Sequence, residues 1–377
     1  MDNYQICTNC VMDTSDPKIT FDEKGVCDHC NGFYKDVEPH WHPDDYGKNI
    51  FSQQVEKIKK AGKGNEYDSI LGLSGGLDSS YLLHLAVTEF GLKPLVFHVD
   101  GGWNTDVAVN NIQVLVDKLG LDLFTEVIDW EEMRDFQLAY FKSGTPHLDI
   151  PQDHAFFATM FHFAKKYDIK YILNGGNYST ECIRNPLDWI YYGTDLTMIK
   201  DIRRQFGSVE MESYPWSGIL YHKVYLRYIK GIQVIRPLNY LPYTKDLAIE
   251  VLSKKYGWKS YPQKHFESRF TKFYEGYWMP TRFGYDTRRV QYSSLIVTGQ
   301  MSRDIAIEKL NPPPYDLSSI DDEFEYVATK LRISIEELKS YHTMPKKWFR
   351  DYKNEYWLFE LGATIMKLMG LERAKKR

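Results

Sequence analysis

The chain is 377 residues long, 43% apolar and 26% charged, with a formal net charge of −4 and a pI near 6.3. Such a composition suits a globular protein with a sizeable core and excludes a disordered chain, while the slight acidity argues against a general nucleic-acid binder, which carries a basic footprint. No apolar run reaches the roughly 18 residues a membrane helix needs. The opening Met1-Asp2-Asn3-Tyr4 lacks the basic-then-apolar pattern of a secretion signal, so no membrane contact is expected and the cytoplasm is the expected location.

The chain opens on Cys7-Thr8-Asn9-Cys10 and Cys27-Asp28-His29-Cys30. Two such knuckles bring four thiolates onto one ion, and a closed four-sulfur site is structural because no position stays open for water or substrate. Structural Zn²⁺ on Cys7, Cys10, Cys27 and Cys30 is the expected occupant; the same ligands suit an iron–sulfur cluster, and His29 could replace one of them. Residues 39–48 read as a connector and 51–61 as a short helix, broken by Gly62-Lys63-Gly64-Asn65. Strand and helix then alternate: strand 67–73, helix 79–90, strand 94–99, helix 106–119, strand 121–128, helices 130–142 and 154–167, strand 170–173, strand 232–236 and helix 244–256. This order predicts an α/β fold, an open and mostly parallel sheet with helices on both faces. Three units are expected: ribbon and connector over 1–50, the α/β domain over 51–257, and a helical, substrate-binding C-terminal region over 258–377. In the last, 264–289 is dense in aromatic and cationic residues without a clear period. Short helices at 302–310 and 334–341 flank Pro312-Pro313-Pro314, and 372–377 form a solvated end.

Ser74-Gly75-Gly76-Leu77-Asp78-Ser79-Ser80 lies between a predicted strand and a predicted helix, where a helix N-terminus offers free amides to an anion. Gly75 and Gly76 permit close backbone approach, the hydroxyls of Ser74, Ser79 and Ser80 add donors, and Asp78 can hold Mg²⁺ or cap the loop. The loop has no lysine of the Gly-x4-Gly-Lys-[Ser/Thr] type. It resembles the signature of the PP-loop ATP pyrophosphatases, adenine nucleotide alpha-hydrolase-like proteins that cleave ATP between its α and β phosphates while adenylating an oxygen. Strand ends in open parallel sheets face the ligand crevice, which makes Asp100 and Gly101 candidates for the adenosine, and Asn174 and Gly175 candidates for the reacting centre. Pro237-Leu238 followed by Lys245 resembles that family's late element, in which the lysine neutralises phosphate charge; an exposed helix lysine is the alternative.

Cys182 is the one cysteine outside the knuckles, and a small buried thiol is its ordinary role. No Gly-x-Cys-x-Gly elbow is present, so the chain has no glutaminase of its own. With Asn174-Gly175-Gly176-Asn177-Tyr178-Ser179-Thr180-Glu181, Lys264-His265-Phe266-Glu267-Ser268-Arg269-Phe270, Phe283-Gly284-Tyr285-Asp286 and Arg288-Arg289, almost the whole chain resembles the N-acetyl sugar amidotransferases of bacterial O-antigen and nonulosonic-acid biosynthesis. The resemblance implies ATP and Mg²⁺ as cofactors and an N-acetylated nucleotide sugar or related sugar as substrate. Its acetamido oxygen is adenylated and replaced by ammonia, which a glutaminase with a cyclase-like subunit supplies. Asp78 and Lys245 then carry phosphate activation, Glu181 or Glu267 takes the proton, and Arg269, Arg288 and Arg289 clamp the sugar's carboxylate or diphosphate, unless they form a salt-bridged face. The alternative is a ribbon-bearing PP-loop enzyme that thiolates tRNA; missing reactive cysteines and the acidic charge count against it.

Overall fold

In a computed structural model, which describes residues 4–368, five strands form a single parallel sheet. They are β1 (Ser69–Gly72), β2 (Pro94–Asp100), β3 (Leu123–Val127), β4 (Tyr171–Leu173) and β5 (Gln233–Ile235), in the order β3-β2-β1-β4-β5. The register places Ile70 of β1 between Leu95 of β2 and Ile172 of β4. Successive side chains point to opposite faces. Leu71, Leu73, Val96 and Leu173 pack under the helices Asp45–Ala61, Leu77–Thr88, Asp106–Leu119 and Lys245–Tyr256. Ile70, Leu95, Phe97 and Ile172 pack under Ile150–Lys166, through Met160 and Phe163. Both faces are covered, which is why the strands read as apolar runs. No helix of the described residues is long and apolar enough to cross a membrane.

Helix ends follow local chemistry. Asp106–Leu119 starts where the Thr105 hydroxyl accepts from the Ala108 amide and stops at Gly120, φ +63°. The expected helix over 51–61 begins earlier, at Asp45, because the Asp44 carboxylate accepts from the Gly47 amide at 3.0 Å. That over 154–167 begins at Ile150, with Pro151 in its first turn. The aperiodic stretch after residue 264 is helical as well: Arg269–Phe273, the wide turn Tyr274–Trp278 and Met279–Phe283 run on continuously, followed by Thr287–Val297. Phe270, Phe273, Tyr274, Trp278 and Met279 are all at most 2% exposed, so this helix is buried around much of its circumference and shows no amphipathic period. Leu196–Phe206 forms where no helix was expected, and Ile320–Leu331 and Tyr356–Leu368 add to the C-terminal region that was expected to be helical. The expected solvated end at 372–377 lies outside the described residues, as do residues 1–3.

One apolar cluster runs from Cys7, Cys10, Cys27 and Cys30 through Trp189 to Phe273, Trp278, Val290 and Phe324, joining the knuckles to the C-terminal helices. Polar ties reinforce it. The Arg303 guanidinium donates to the Cys7 and Cys10 carbonyls at 2.9–3.1 Å, Arg289 donates to the Val11 carbonyl at 2.9 Å, and the Val11 amide donates to Ser293 Oγ at 3.2 Å. Stripping the knuckles of metal with a chelator should therefore speed amide exchange in Thr287–Val297 and Arg303–Leu310, leaving Leu77–Thr88 and Asp106–Leu119 protected. Hydrogen-exchange mass spectrometry checks this; a uniform change along the chain would contradict it.

Candidate active site

β1 has β2 on one side and β4 on the other, so the chain leaving β1 and the chain leaving β4 diverge and open a crevice at the carboxyl ends of the strands. A cavity of about 250 Å³ lies there, lined by Ser74, residues 76–79 and 174–176, Thr180 and Glu181 among others. Gly75 adopts φ +79°, and a Cβ on it would stand 2.7 Å from the Ala108 carbonyl oxygen. Its own carbonyl is held by three donors, Trp258 Nε1 and the Tyr261 hydroxyl at 3.1 Å and Asn111 Nδ2 at 3.4 Å. Gly76 is the N-cap of the helix Leu77–Thr88 and brings no side-chain acceptor, which leaves that helix's first-turn amides for an anion. The loop after β4 packs directly on this turn: a Cβ on Gly175 would lie 3.2 Å from the Ser79 amide nitrogen.

The charged groups come from four separate parts of the chain. Lys264 Nζ lies 2.7 Å from Asp78 Oδ2 and 2.6 Å from Glu181 Oε1, with Thr180 Oγ1 at 3.4 Å. The Tyr243 hydroxyl donates to Asp78 Oδ1. Burial works against ionising Asp78, but the Lys264 ammonium and the Tyr243 hydroxyl overcome it and hold the carboxyl below the usual range. Burial likewise works against the Lys264 charge, and Asp78 with Glu181 hold it above the usual range. Lys245 lines the same cavity with no carboxylate paired to it among the described residues; burial and the nearby Lys264 lower its ammonium. Burial raises the Glu267 carboxyl, whose Oε1 accepts from Ser74 Oγ at 3.4 Å. His265, at φ +67°, pairs through Nδ1 with Glu275 at 3.1 Å; burial opposes its protonation, yet Glu275 raises it to about 9.

Of the residues expected at the site, Ser74, Gly76, Asp78, Ser79, Asn174, Gly175, Glu181, Lys245 and Glu267 line the cavity. Gly75 lies behind it. Ser80 is fully buried, its Oγ without a partner. Asp100 and Gly101, at the end of β2, are not among the lining residues; Asp100 Oδ1 instead accepts from the Gly102 amide and Asn104 Nδ2. The three arginines also lie outside the lining, and each binds the protein to itself. Arg269 pairs with Glu323 at 2.9 Å and stacks on Tyr326. Arg288, 4% exposed, grips Asp286 and the Lys309 and Pro312 carbonyls. Arg289 pairs with Asp13 at 3.1 Å. In this structure the three guanidiniums take the salt-bridged and internally hydrogen-bonded arrangement that was the alternative to a sugar clamp. Sequence reasoning passed over Lys264, His265, Tyr243, Gln291 and Tyr292. A signal existed for the first two, since Lys264-His265-Phe266-Glu267 packs three titratable groups into four residues.

The sulfurs of Cys7, Cys10, Cys27 and Cys30 lie within 4.8 Å of one another, a donor set able to hold a metal ion. His29 turns away to Asp16, at 2.8 Å. At the cavity, the two carboxylate oxygens and one hydroxyl that meet at Lys264 Nζ form an all-oxygen set suited to a hard divalent cation.

Residues 267–366 match a family model described as "LPS biosynthesis protein WbpG-like, C-terminal domain". The matched segment begins at Glu267, on the cavity wall, and supplies Gln291, Tyr292 and Leu295 to that wall. No curated protein matches the chain. Among solved structures, the NH3-dependent NAD synthetase from Campylobacter jejuni is 13% identical, over 80% of this chain and 98% of its own, with a TM-score of 0.33. The NMN synthetase from Francisella tularensis is 16% identical, over 59% and 91%, with a TM-score of 0.27. The U34-tRNA thiolase NcsA from Methanococcus maripaludis, solved with its [4Fe-4S] cluster, is 11% identical, over 74% and 80%, with a TM-score of 0.28. Likenesses this loose carry no argument about function.

Gly75→Ala should lower stability by about 1–3 kcal/mol, since the added methyl meets backbone and the residue must hold a left-handed conformation. Gly32→Ala, with φ −65° and nothing within 4 Å of the new carbon, should be near neutral. Urea-denaturation midpoints compare the two.

Proposed function

We propose that this protein is an ATP-dependent amidotransferase acting on an N-acetylated sugar, as a nucleotide sugar or a related form, in lipopolysaccharide biosynthesis. The observation that carries the reading is Lys245, a cation without a paired carboxylate, facing a glycine loop at the switch point of the sheet while the WbpG-like domain forms the opposing wall. The first-turn amides of Leu77–Thr88 and the Lys245 ammonium hold the polyphosphate. Asp78, with Glu181 beside it, would hold Mg²⁺, which would supply positive charge against the polyphosphate. The cavity presents the acetamido oxygen to the α-phosphorus, forming an O–P bond as the α–β phosphoanhydride breaks. An amide oxygen is a poor leaving group, and adenylation turns it into AMP. Ammonia then adds to the activated carbon, a carboxylate takes one of its protons, and the C–O bond to AMP breaks to leave an acetamidino group. Glu267 and Glu181 both line the cavity, and the carboxyl that burial raises, Glu267, is the better matched proton acceptor near neutral pH.

Ammonia comes from a separate glutaminase with a cyclase-like subunit, consistent with a chain that has no glutaminase elbow. Zn²⁺ is the proposed occupant of the knuckles, whose four sulfurs lie within 4.8 Å of one another, compatible with a tetrahedron of Zn–S bonds of about 2.3 Å and edges of ~3.8 Å. A [4Fe–4S] cluster, by contrast, attaches each thiolate to a different iron and spreads the sulfurs further apart. Against tRNA thiolation stands Cys182, whose thiol burial pushes up to about 12, donating at 3.8 Å to the Ser294 carbonyl. A thiol held neutral is no sulfur carrier.

With ATP, Mg²⁺, ammonium and a panel of N-acetylated nucleotide sugars, the protein should release AMP and pyrophosphate only when the right sugar is present. Mass spectrometry should then find oxygen exchanged for an imino nitrogen; ADP and phosphate as products would overturn the reading. Lys245→Ala should lower kcat/KM for ATP by about 100-fold or more, and Asp78→Ala should abolish turnover. Cys182→Ala should keep ammonium-driven activity, and its loss in a folded variant would return sulfur transfer to the front.

A further inference from the structure

The contact between Lys264, Asp78 and Glu181 joins three segments far apart in sequence: the loop after β1, the loop after β4, and the strap that leads into the WbpG-like domain. Asp78 and Glu181 carry like charge and stand on loops that pack against each other, so a cation is needed to bring their oxygens to one point. The Lys264 ammonium is that cation, with three oxygens around it at 2.6, 2.7 and 3.4 Å. A lysine has three donors and no acceptor, and here its donors face the oxygens a hard divalent cation would take. The second Asp78 oxygen is already fixed by Tyr243, so the carboxylate cannot turn to serve another ligand without giving up that bond. An ammonium and a divalent ion therefore compete for the same place.

We propose that Lys264 is a tethered resident cation: it holds Asp78 and Glu181 together in the nucleotide-free protein and gives them up to a divalent cation when nucleotide enters. The inference rests on the reading of residues 74–80 as a nucleotide loop. Once displaced, the ammonium remains in the cavity beside Lys245, where it adds a second positive charge against the polyphosphate. The strap from Lys264 to Glu267 moves with it, so metal entry is felt at the first residue of the WbpG-like domain. Lys264 is on this account a positioning residue that acts through two carboxylates.

The test uses full-length protein and Mn²⁺ alone, without nucleotide, following the free Mn²⁺ signal by electron paramagnetic resonance. Wild type should bind Mn²⁺ weakly, and Lys264→Gln should bind it at least about tenfold more tightly, because two carboxylates are left facing each other without their cation. Lys264→Arg should stay weak, and adding Glu181→Gln to Lys264→Gln should remove most of the gain. Equal or weaker Mn²⁺ binding by Lys264→Gln would overturn the proposal. A measurement on wild type answers even if that variant folds poorly: acetic anhydride should label the Lys264 amine several-fold faster at saturating Mn²⁺ than without it, read by peptide mass spectrometry. Unchanged or slower labelling would overturn it too. Neither readout depends on sugar or turnover, so a protein that exchanges lysine for metal but releases no AMP keeps this inference and loses the proposed reaction, and the converse result does the reverse.

Discussion

The reversal of strand order beside β1 is the constraint on which the rest of the molecule depends. Because β2 and β4 occupy opposite sides of β1, no connection crosses above the end of β1, and the crevice there is a consequence of topology rather than of any side chain. Everything at the site is fitted to that opening. Gly75 has its carbonyl fixed by Trp258, Tyr261 and Asn111. Gly175 brings the second loop against the first. Large side chains are excluded from both positions by backbone contact, which is a firmer specification than a preference for turns.

The charge distribution within the crevice follows from burial. Lys264 and His265 are each matched to carboxylates, on Asp78 and Glu181 in one case and Glu275 in the other. Lys245 is not. A desolvated cation without a partner is costly, and the crevice keeps one where an anionic group can reach it. Glu267 has the opposite character, a carboxyl that burial makes harder to ionise, held near the hydroxyl of Ser74. The site thus joins a cation without a paired carboxylate among the described residues to a carboxyl that burial makes harder to ionise, at the first residue of the segment that matches the WbpG-like model.

Much of the sheet and the glycine loop after β1 could be read from sequence because their signals are local. Thr105 and Gly120 mark the ends of Asp106–Leu119 within one residue of the helix itself, and apolar runs mark strands buried on both faces. What could not be read depends on distance along the chain. Lys264 reaches Asp78 across 186 residues, and nothing in either neighbourhood announces the pairing. The guanidiniums of Arg288 and Arg289 looked available because their partners, the carbonyls near Pro312 and the carboxylate of Asp13, are far off in sequence or hidden in a turn. The helices from Arg269 to Phe283 escaped for a different reason: a helix surrounded by protein has no polar face to reveal its period.

The docking of the knuckles onto the C-terminal helices sets an order of events during synthesis on the ribosome. Val11 waits for Ser293, separated from it by 282 residues, and the carbonyls of Cys7 and Cys10 wait for Arg303. The knuckles emerge well before the helices they dock on and find their place only after the sheet between them has had time to form. Domains build from the N-terminal side as they are translated, and closing so long a loop is slow. A metal bound early to the four thiolates would keep the segment compact and its sulfurs shielded from oxidation throughout that wait.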